Sequence, residues 1–399
     1  MEQTRSYLDH AATSPLTPAA WAAMDRLRGL VGNPSSLHAA GRAARAALEE
    51  ARERLAAVVG AHPTEVLFTS GGTEADNLAV HGSWIARRVS GPGNDTGRPR
   101  VVISAIEHAA LDDLAPALTR DGAEVARPRP DPDGTVSGRT LEDVLAGEAG
   151  RRTAVASLMW VNNETGAVQP IDDLVAACRR AGAWSHTDAV QALGHVPIDF
   201  APGGPDLMSL SAHKVGGPVG IGALLVRREL SPAPVLHGGG QERGIRSGTL
   251  APMLAAGFAA AADEAVAELS ARRLHWADLT RRLVAGLESM PGVRAHRGRH
   301  PSPSIVNAAF DDCEADDLLL LLDAAGIDAS VGSACSAGVS ATSHVLLAAG
   351  LPESEARSSL RFSFGPETSE ADVGRLLAVL PGALERARAA HRTELASGR

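Results

Sequence analysis

The sequence predicts an α/β protein built on a mixed, mostly parallel sheet, followed by a smaller α+β unit. Three observations lead there. Short apolar, β-rich runs alternate with helical stretches, several of those runs are apolar at consecutive positions, and the texture changes after about residue 255. Alternating strands and helices build a parallel sheet with helices on its faces, and a strand covered on both faces has no polar side.

The strand candidates of the first part are 66–69, 101–106, 155–161, 184–187, 207–210 and 223–226. Between them, 38–59 is rich in Ala, Arg, Glu and Leu and stops at Gly60, and 171–181 stops at Gly182. A glycine just past the last periodic residue is a helix C-cap signal. The segment 91–100 reads as a polar Gly/Pro-rich loop. Farther on, an Ala-rich stretch at 254–287 predicts one long helix. Strand-like pieces at 304–310 and 359–364 flank a helix at 315–325.

Composition bounds the function. The chain has 399 residues, 44% of them hydrophobic, with a formal charge of −9. That length buries a sizeable core without staples. The acidic balance argues against direct nucleic-acid binding, which needs a basic face. The start, MEQTRSYLDHAATSP, lacks a charged head followed by an apolar core, and no run approaches the length of a bilayer span. The expectation is therefore a cytoplasmic protein without a membrane partner. The three cysteines, Cys178, Cys313 and Cys335, have no CxxC spacing, so neither a metal site nor a disulfide framework is expected.

All but one of the 38 basic residues are arginine, and the exception is Lys214. A codon bias toward arginine explains the skew, and a sole lysine can arise by chance. Arginine can nevertheless replace lysine as a surface charge but not as an amine nucleophile, because its guanidinium stays protonated. Lys214 is thus a candidate for covalent chemistry.

Five motifs carry the chemistry. In TSGGTEADN, 69–77, a strand gives way to a helix through Gly71, Gly72 and Thr73. Free N–H groups and the helix dipole there suit a phosphate, although an ordinary strand-to-helix turn would read the same. In SLSAHKVGGPVGIG, Ser211 and His213 flank Lys214 directly after a strand. In WSHTDAVQ, Asp188 ends an apolar strand, where it could cap a helix or pair with a protonated ring nitrogen. In ISAIEHAAL, His108 lies just past a strand, placed to stack on a flat ring and shuttle protons. In ASVGSACSAGVSATSH, Cys335 sits among Gly, Ser and Ala, a setting that predicts a mobile thiol. Its attack would need a thiolate, hence a pKa below the usual ~8.5 or a base. Cys178 falls on a helix and reads as core, and Cys313 follows Asp311 and Asp312, whose charges would raise its pKa.

Ten segments, YLDHAAT, GNPSSLH, SGGTEADNLA, EH, VNNETG, HTDAVQ, SAHK, HGGGQERGIRSGT, GSACSAG and SLRFSFG, run in this order from Tyr7 to Gly365. Together they resemble the cysteine desulfurase family of pyridoxal 5'-phosphate (PLP) enzymes, within the class V aminotransferase superfamily. The similarity is greatest to the housekeeping, iron–sulfur cluster assembly branch and to actinobacterial members. It implies the PLP-dependent transferase fold type I, with a large domain over 17–262 and a small one made of 1–16 and 263–399. The small domain would carry the cysteine loop.

The resemblance also implies roles. Lys214 would anchor PLP as an imine. Gly72, Thr73, Ser211 and His213 would hold its phosphate, and Thr249 would reach the phosphate of a neighbouring subunit in a homodimer. Asp188 would bind the pyridine nitrogen, Gln191 and Asn163 the ring-hydroxyl side, and His108 the ring face. Arg361 would clamp the carboxylate of L-cysteine, with Asn33 and His38 lining the substrate mouth beside Asn163. Lys214 and His108 would move the proton, and the Cys335 thiolate would take the substrate sulfur as a persulfide and release alanine. The sulfur would pass to an acceptor protein such as a cluster scaffold or a thiolation enzyme, including one acting on tRNA. GGPVGIG after the lysine and CSAG in the loop depart from common family patterns without removing a required group. A selenocysteine lyase, another class V aminotransferase or lyase, and a non-catalytic PLP-binding scaffold share parts of this pattern.

Overall fold

A computed structural model of the chain describes residues 5–89, 97–332 and 342–397. Its strands are β1 Ser6–Tyr7, β2 Val66–Thr69, β3 Arg100–Ile103, β4 Glu124–Ala126, β5 Thr153–Ser157, β6 Trp184–Asp188, β7 Leu207–Ser211, β8 Gly222–Val226, β9 Val293–His296, β10 Ile305–Phe310, β11 Ile327–Asp328 and β12 Ser359–Ser363. Seven of them form one sheet in the order β2-β8-β7-β6-β5-β3-β4. The pairs from β4 through β7 are parallel, and β8 runs antiparallel to both of its neighbours. The sheet is therefore mixed and mostly parallel, as the alternating sequence pattern requires.

Burial explains the apolar runs. Every residue of β2, β5, β7 and β8 is buried. Side chains alternate between faces, so Leu207, Leu224 and Val226 meet Ala75, Leu78 and Ala79 of helix Gly72–Arg87. Met208, Leu210, Ala223 and Leu225 turn the other way. They meet Leu48 and Leu55 of helix Ala39–Val58 and Phe258 and Ala262 of helix Pro252–Ala267. Helix Ile171–Ala181 ends as its sequence predicts, on Gly182 at φ +66°.

The stretch 254–287 is not one helix. It divides into Pro252–Ala267 and Leu269–Glu288, with Glu268 at φ −95°, ψ −1° between them. The physical reason is that the two halves serve different cores. Phe258 and Ala262 pack under the large sheet, whereas Trp276, Leu279, Leu283 and Leu287 pack against Val306, Phe310 and Phe362 of the antiparallel sheet β12-β10-β9. Arg272 pins the break by pairing with Glu264 at 3.2 Å and Glu268 at 2.9 Å. A further helix, Glu370–Ser397, covers the same second core, and β1 joins it by pairing in parallel with β11. Of the segment 91–100, residues up to 96 lie outside the described structure, and Arg100 already belongs to β3. Among the described residues no helix is long and apolar enough to cross a membrane.

One buried ion pair ties helix Ala39–Val58 to the large sheet. Arg52 meets Glu242 through two bonds of 2.8 and 2.7 Å and donates to the Val66 carbonyl at 2.6 Å. Glu242 in turn accepts from the Phe68 amide at 2.7 Å. Removing one partner strands a buried charge, so Arg52→Ala is expected to cost about 3–5 kcal/mol in urea unfolding.

Candidate active site

The C-terminal ends of the parallel strands converge on a cavity of about 700 Å³. Open α/β sheets gather ligands at that edge. Five strands deliver residues to the cavity. The turn after β2 supplies Gly72 and Thr73, the turn after β3 supplies His108, and the turn after β5 supplies Asn163. β6 ends on Asp188, and β7 runs through Ser211 into His213 and Lys214. Arg361 of β12 closes the cavity from the second sheet, with Ala329, Ser330 and Gly332 beside it.

The cradle is a bare helix end. Helix Gly72–Arg87 starts behind Gly71 with no side-chain cap. Its first N–H groups and its dipole favour an anion. The first turn lies close to the sheet, since a Cβ on Gly72 would come within 2.9 Å of a Val190 methyl. Ser211, whose Cβ would lie 3.6 Å from that added Cβ, keeps its Oγ buried without a hydrogen-bond partner. His213 is held by Thr13 at 3.1 Å, and burial lowers its pKa to about 4, so it enters the site neutral.

Lys214 reaches inward. Its amine donates to the carbonyls of Ala11 at 2.6 Å and Ala12 at 2.9 Å. Burial, then the Arg361 charge, lowers its pKa to about 8. A neutral amine fraction thus exists near physiological pH, as a nucleophile requires. Asp188 is buried, accepts from the Val190 amide at 2.8 Å and caps no helix. Burial raises its pKa, while His108, the Val190 amide and Lys214 favour its charged form. His108 accepts from the Ala110 amide at 3.1 Å, and burial lowers its pKa.

Arg361 is buried with its charge only partly spent. It donates to Asp9 at 2.8 Å and to the Asn163 carbonyl at 2.9 Å, and its Nε has no partner. Asn163 Oδ1 is likewise buried and unpartnered. Gln191 lines the cavity and donates to the Ala11 carbonyl at 2.7 Å.

Three sequence candidates do not line this cavity. Asn33 and His38 are exposed: Asn33 accepts from the Ser35 amide at 2.9 Å, and His38 caps helix Ala39–Val58 through the Gly41 amide at 3.2 Å. Thr249 is exposed too, shortly after Arg246, which bonds Glu74 in the first turn of the cradle helix at 2.8 Å. Cys335 lies outside the described residues, and Gly332 and Thr342, which flank that segment, both line the cavity.

Sequence reasoning missed Asp9, Ala11 and Ala12, although YLDHAAT contains them. It also missed Asp76 and His344, which line the same cavity. Cys178 is buried on its helix as expected. The Cys313 thiol is raised as expected, with Asp312 among the charges that raise it, whereas Asp311 pairs with Arg294. Burial, ahead of its acidic neighbours, pushes its thiol up to about 12, and Arg388 partly opposes the shift.

A seven-stranded mixed sheet brings a lysine, an aspartate and a bare helix end to one cavity, and the family model described as "Aminotransferase class-V" matches residues 6–376, so the chain is a member of that class. Within that class the chain belongs to the cysteine desulfurase family. It is 46% identical over 389 residues to an IscS-like cysteine desulfurase of Mycobacterium tuberculosis, covering 96% of this chain and 98% of the relative. It is 38% identical to a cysteine desulfurase IscS of Methanosarcina thermophila, covering 97% and 94%. Among solved structures it is similar to a NifS-like protein (TM-score 0.87, 31% identity, 96% and 100% covered). It is also similar to DndA from Streptomyces lividans (TM-score 0.72, 37% identity, 90% and 99% covered).

Proposed function

We propose that this cavity binds PLP and converts L-cysteine to L-alanine, with the sulfur passing to Cys335. The observation that carries the reading is the meeting of the sole lysine, its amine pKa lowered, with a buried aspartate and a bare helix end. These groups fit the cofactor: an anion cradle for a phosphate, an acid for a ring nitrogen and an amine for an imine. The unpartnered Ser211 Oγ and Asn163 Oδ1 are polar atoms awaiting a ligand. When bound, PLP supplies an electron sink beside the substrate amine.

The chain's own residues do the rest. Gly72, Thr73, Ser211 and His213 hold the phosphate, Asp188 the ring nitrogen, and Gln191 and Asn163 the ring-hydroxyl side. Lys214 would hold the cofactor through its amine, the one primary amine of the chain's side chains. With the neutral His108 beside it, that amine takes and returns the substrate proton. Arg361 receives the substrate carboxylate through its unfilled donor. Lysine cannot supply the planar fork, so Arg361→Lys is expected to lower kcat/KM for cysteine about 10- to 100-fold, mainly through KM.

Thr249 and the homodimer belong to this proposal. Val235 and Leu236 are exposed apolar side chains lining a hollow shared with Ser70, Glu74 and Asn77, beside the cradle. A second copy covering that hollow would bring its own Thr249 segment near the phosphate site. The division into 17–262 and the remainder belongs to the same proposal; two separate cores support it, with Ala265 of the first core extending that unit to the break at Glu268. The sulfur acceptor is a protein of the cluster-assembly or thiolation kind. Purified protein given cysteine and PLP should form alanine and hold sulfur on the protein. No alanine, or turnover of selenocysteine alone, would overturn the reading.

A further inference from the structure

Asp76 is a buried acid of the cavity that this chemistry leaves without a task. It sits in the first turns of helix Gly72–Arg87, only 1% exposed, and it lines the same cavity as Asp188. Its Oδ1 has no hydrogen-bond partner. Two carboxylates that share a buried space cannot both ionise without a cation.

The groups around Asp76 supply no such cation. On β6, the His186 ring stands 3.7 Å from Asp76 Oδ1. That ring is wholly buried and pinned at both nitrogens, to Ser157 and Ser209 hydroxyls at 2.9 Å each, and burial lowers its pKa to about 3. It is therefore neutral. From the turn after β3, Glu107 is a further buried acid, with Ser104, Ser157 and the Met159 amide on Oε1. On β7, Ser209 is the one hydroxyl that favours the Asp76 carboxylate. Lys214, His108 and the Val190 amide all act on Asp188 instead. The asymmetry decides which acid keeps its proton.

We propose that Asp76 is a positioning residue that stands as a neutral carboxylic acid at neutral pH, so that Asp188 remains the single anion facing the ring nitrogen. Burial, followed by the Asp188 charge, acts on Asp76 in the same direction. A neutral Asp76 keeps its shape and hydrogen-bonding capacity beside Asp188 without competing for the ring proton. This role rests on the Asp188 reading above, but the proton on Asp76 does not.

Isotope-edited infrared spectroscopy of the full-length protein, carrying carbon-13 aspartate, tests it. At neutral pH a protonated carboxyl stretch should shift with the aspartate label and vanish in Asp76→Asn. Asp76→Ser serves the same assignment if the asparagine variant does not fold. With PLP loaded, Asp76→Asn should leave the pH midpoint of the visible cofactor band where it is, because one neutral group replaces another. Loss of a charge at that position would move the midpoint by about one pH unit or more, a tenfold change. No aspartate-derived carboxylic acid band in the parent protein, a band that survives in both variants, or a midpoint shift of that size would overturn the proposal. Failure of the protein to take up PLP would sink the functional reading while leaving the infrared result standing.

Discussion

Lys214→Ala is expected to abolish the visible absorbance of bound cofactor and to lower cysteine turnover by about a thousandfold or more, since general acid–base help alone contributes 10²–10⁴. Two roles are lost together. In the proposed chemistry the lysine is the covalent anchor, and its amine, with a pKa lowered to about 8, carries the proton. Lys214→Arg should fail as completely, although its charge is kept, because a guanidinium neither forms the link nor releases its proton. Cofactor uptake by the parent should follow the same group. The neutral amine attacks, so the uptake rate should climb with pH toward about 8 and level off above it. Absorbance spectra and stopped-flow mixing with PLP read both effects. A Lys214→Ala protein with the parent's visible band would contradict the anchor.

Cys335→Ser is expected to separate the two halves of the chemistry. The variant should bind PLP with the parent's colour, because the substitution leaves Lys214, Asp188 and the helix end at Gly72 unchanged. It should form no persulfide, and alanine production should fall by roughly a hundredfold or more, the scale of losing a positioned nucleophile or acid–base group. The other cysteines cannot substitute. Cys178 is buried on its helix, where its thiol pKa is pushed far up, and Cys313 donates to the Phe310 carbonyl at 3.3 Å inside the second core. Persulfide labelling with a thiol-reactive probe, beside an alanine assay, reads the separation.

Much of the site is legible in the sequence because strand ends announce themselves. Asp188, Ser211 and Lys214 follow apolar runs, and Gly72 opens a helix after another, so the sheet rule alone places them together. Arg361 is legible only through resemblance. It comes from β12, and nothing local says that its side chain faces a cavity built by another sheet. The N-terminal contribution escapes local reasoning for a similar cause. Ala11 and Ala12 act through carbonyls, which no residue type advertises. The break at Glu268 is hidden because both halves have good helix formers; it shows only when each half finds its own core. His38 illustrates the converse. Its motif implies a substrate contact, yet within the single chain it caps a helix.

The most direct test of the central reading is mass analysis of peptides from the parent protein after a single exposure to cysteine, with alanine counted in the same sample. The account predicts one added sulfur atom on the peptide that carries Cys335, matched by one alanine, and none on the Cys178 or Cys313 peptides. Alanine released at the parent rate by Cys335→Ser, or sulfur found on Cys178 or Cys313 instead, would contradict it.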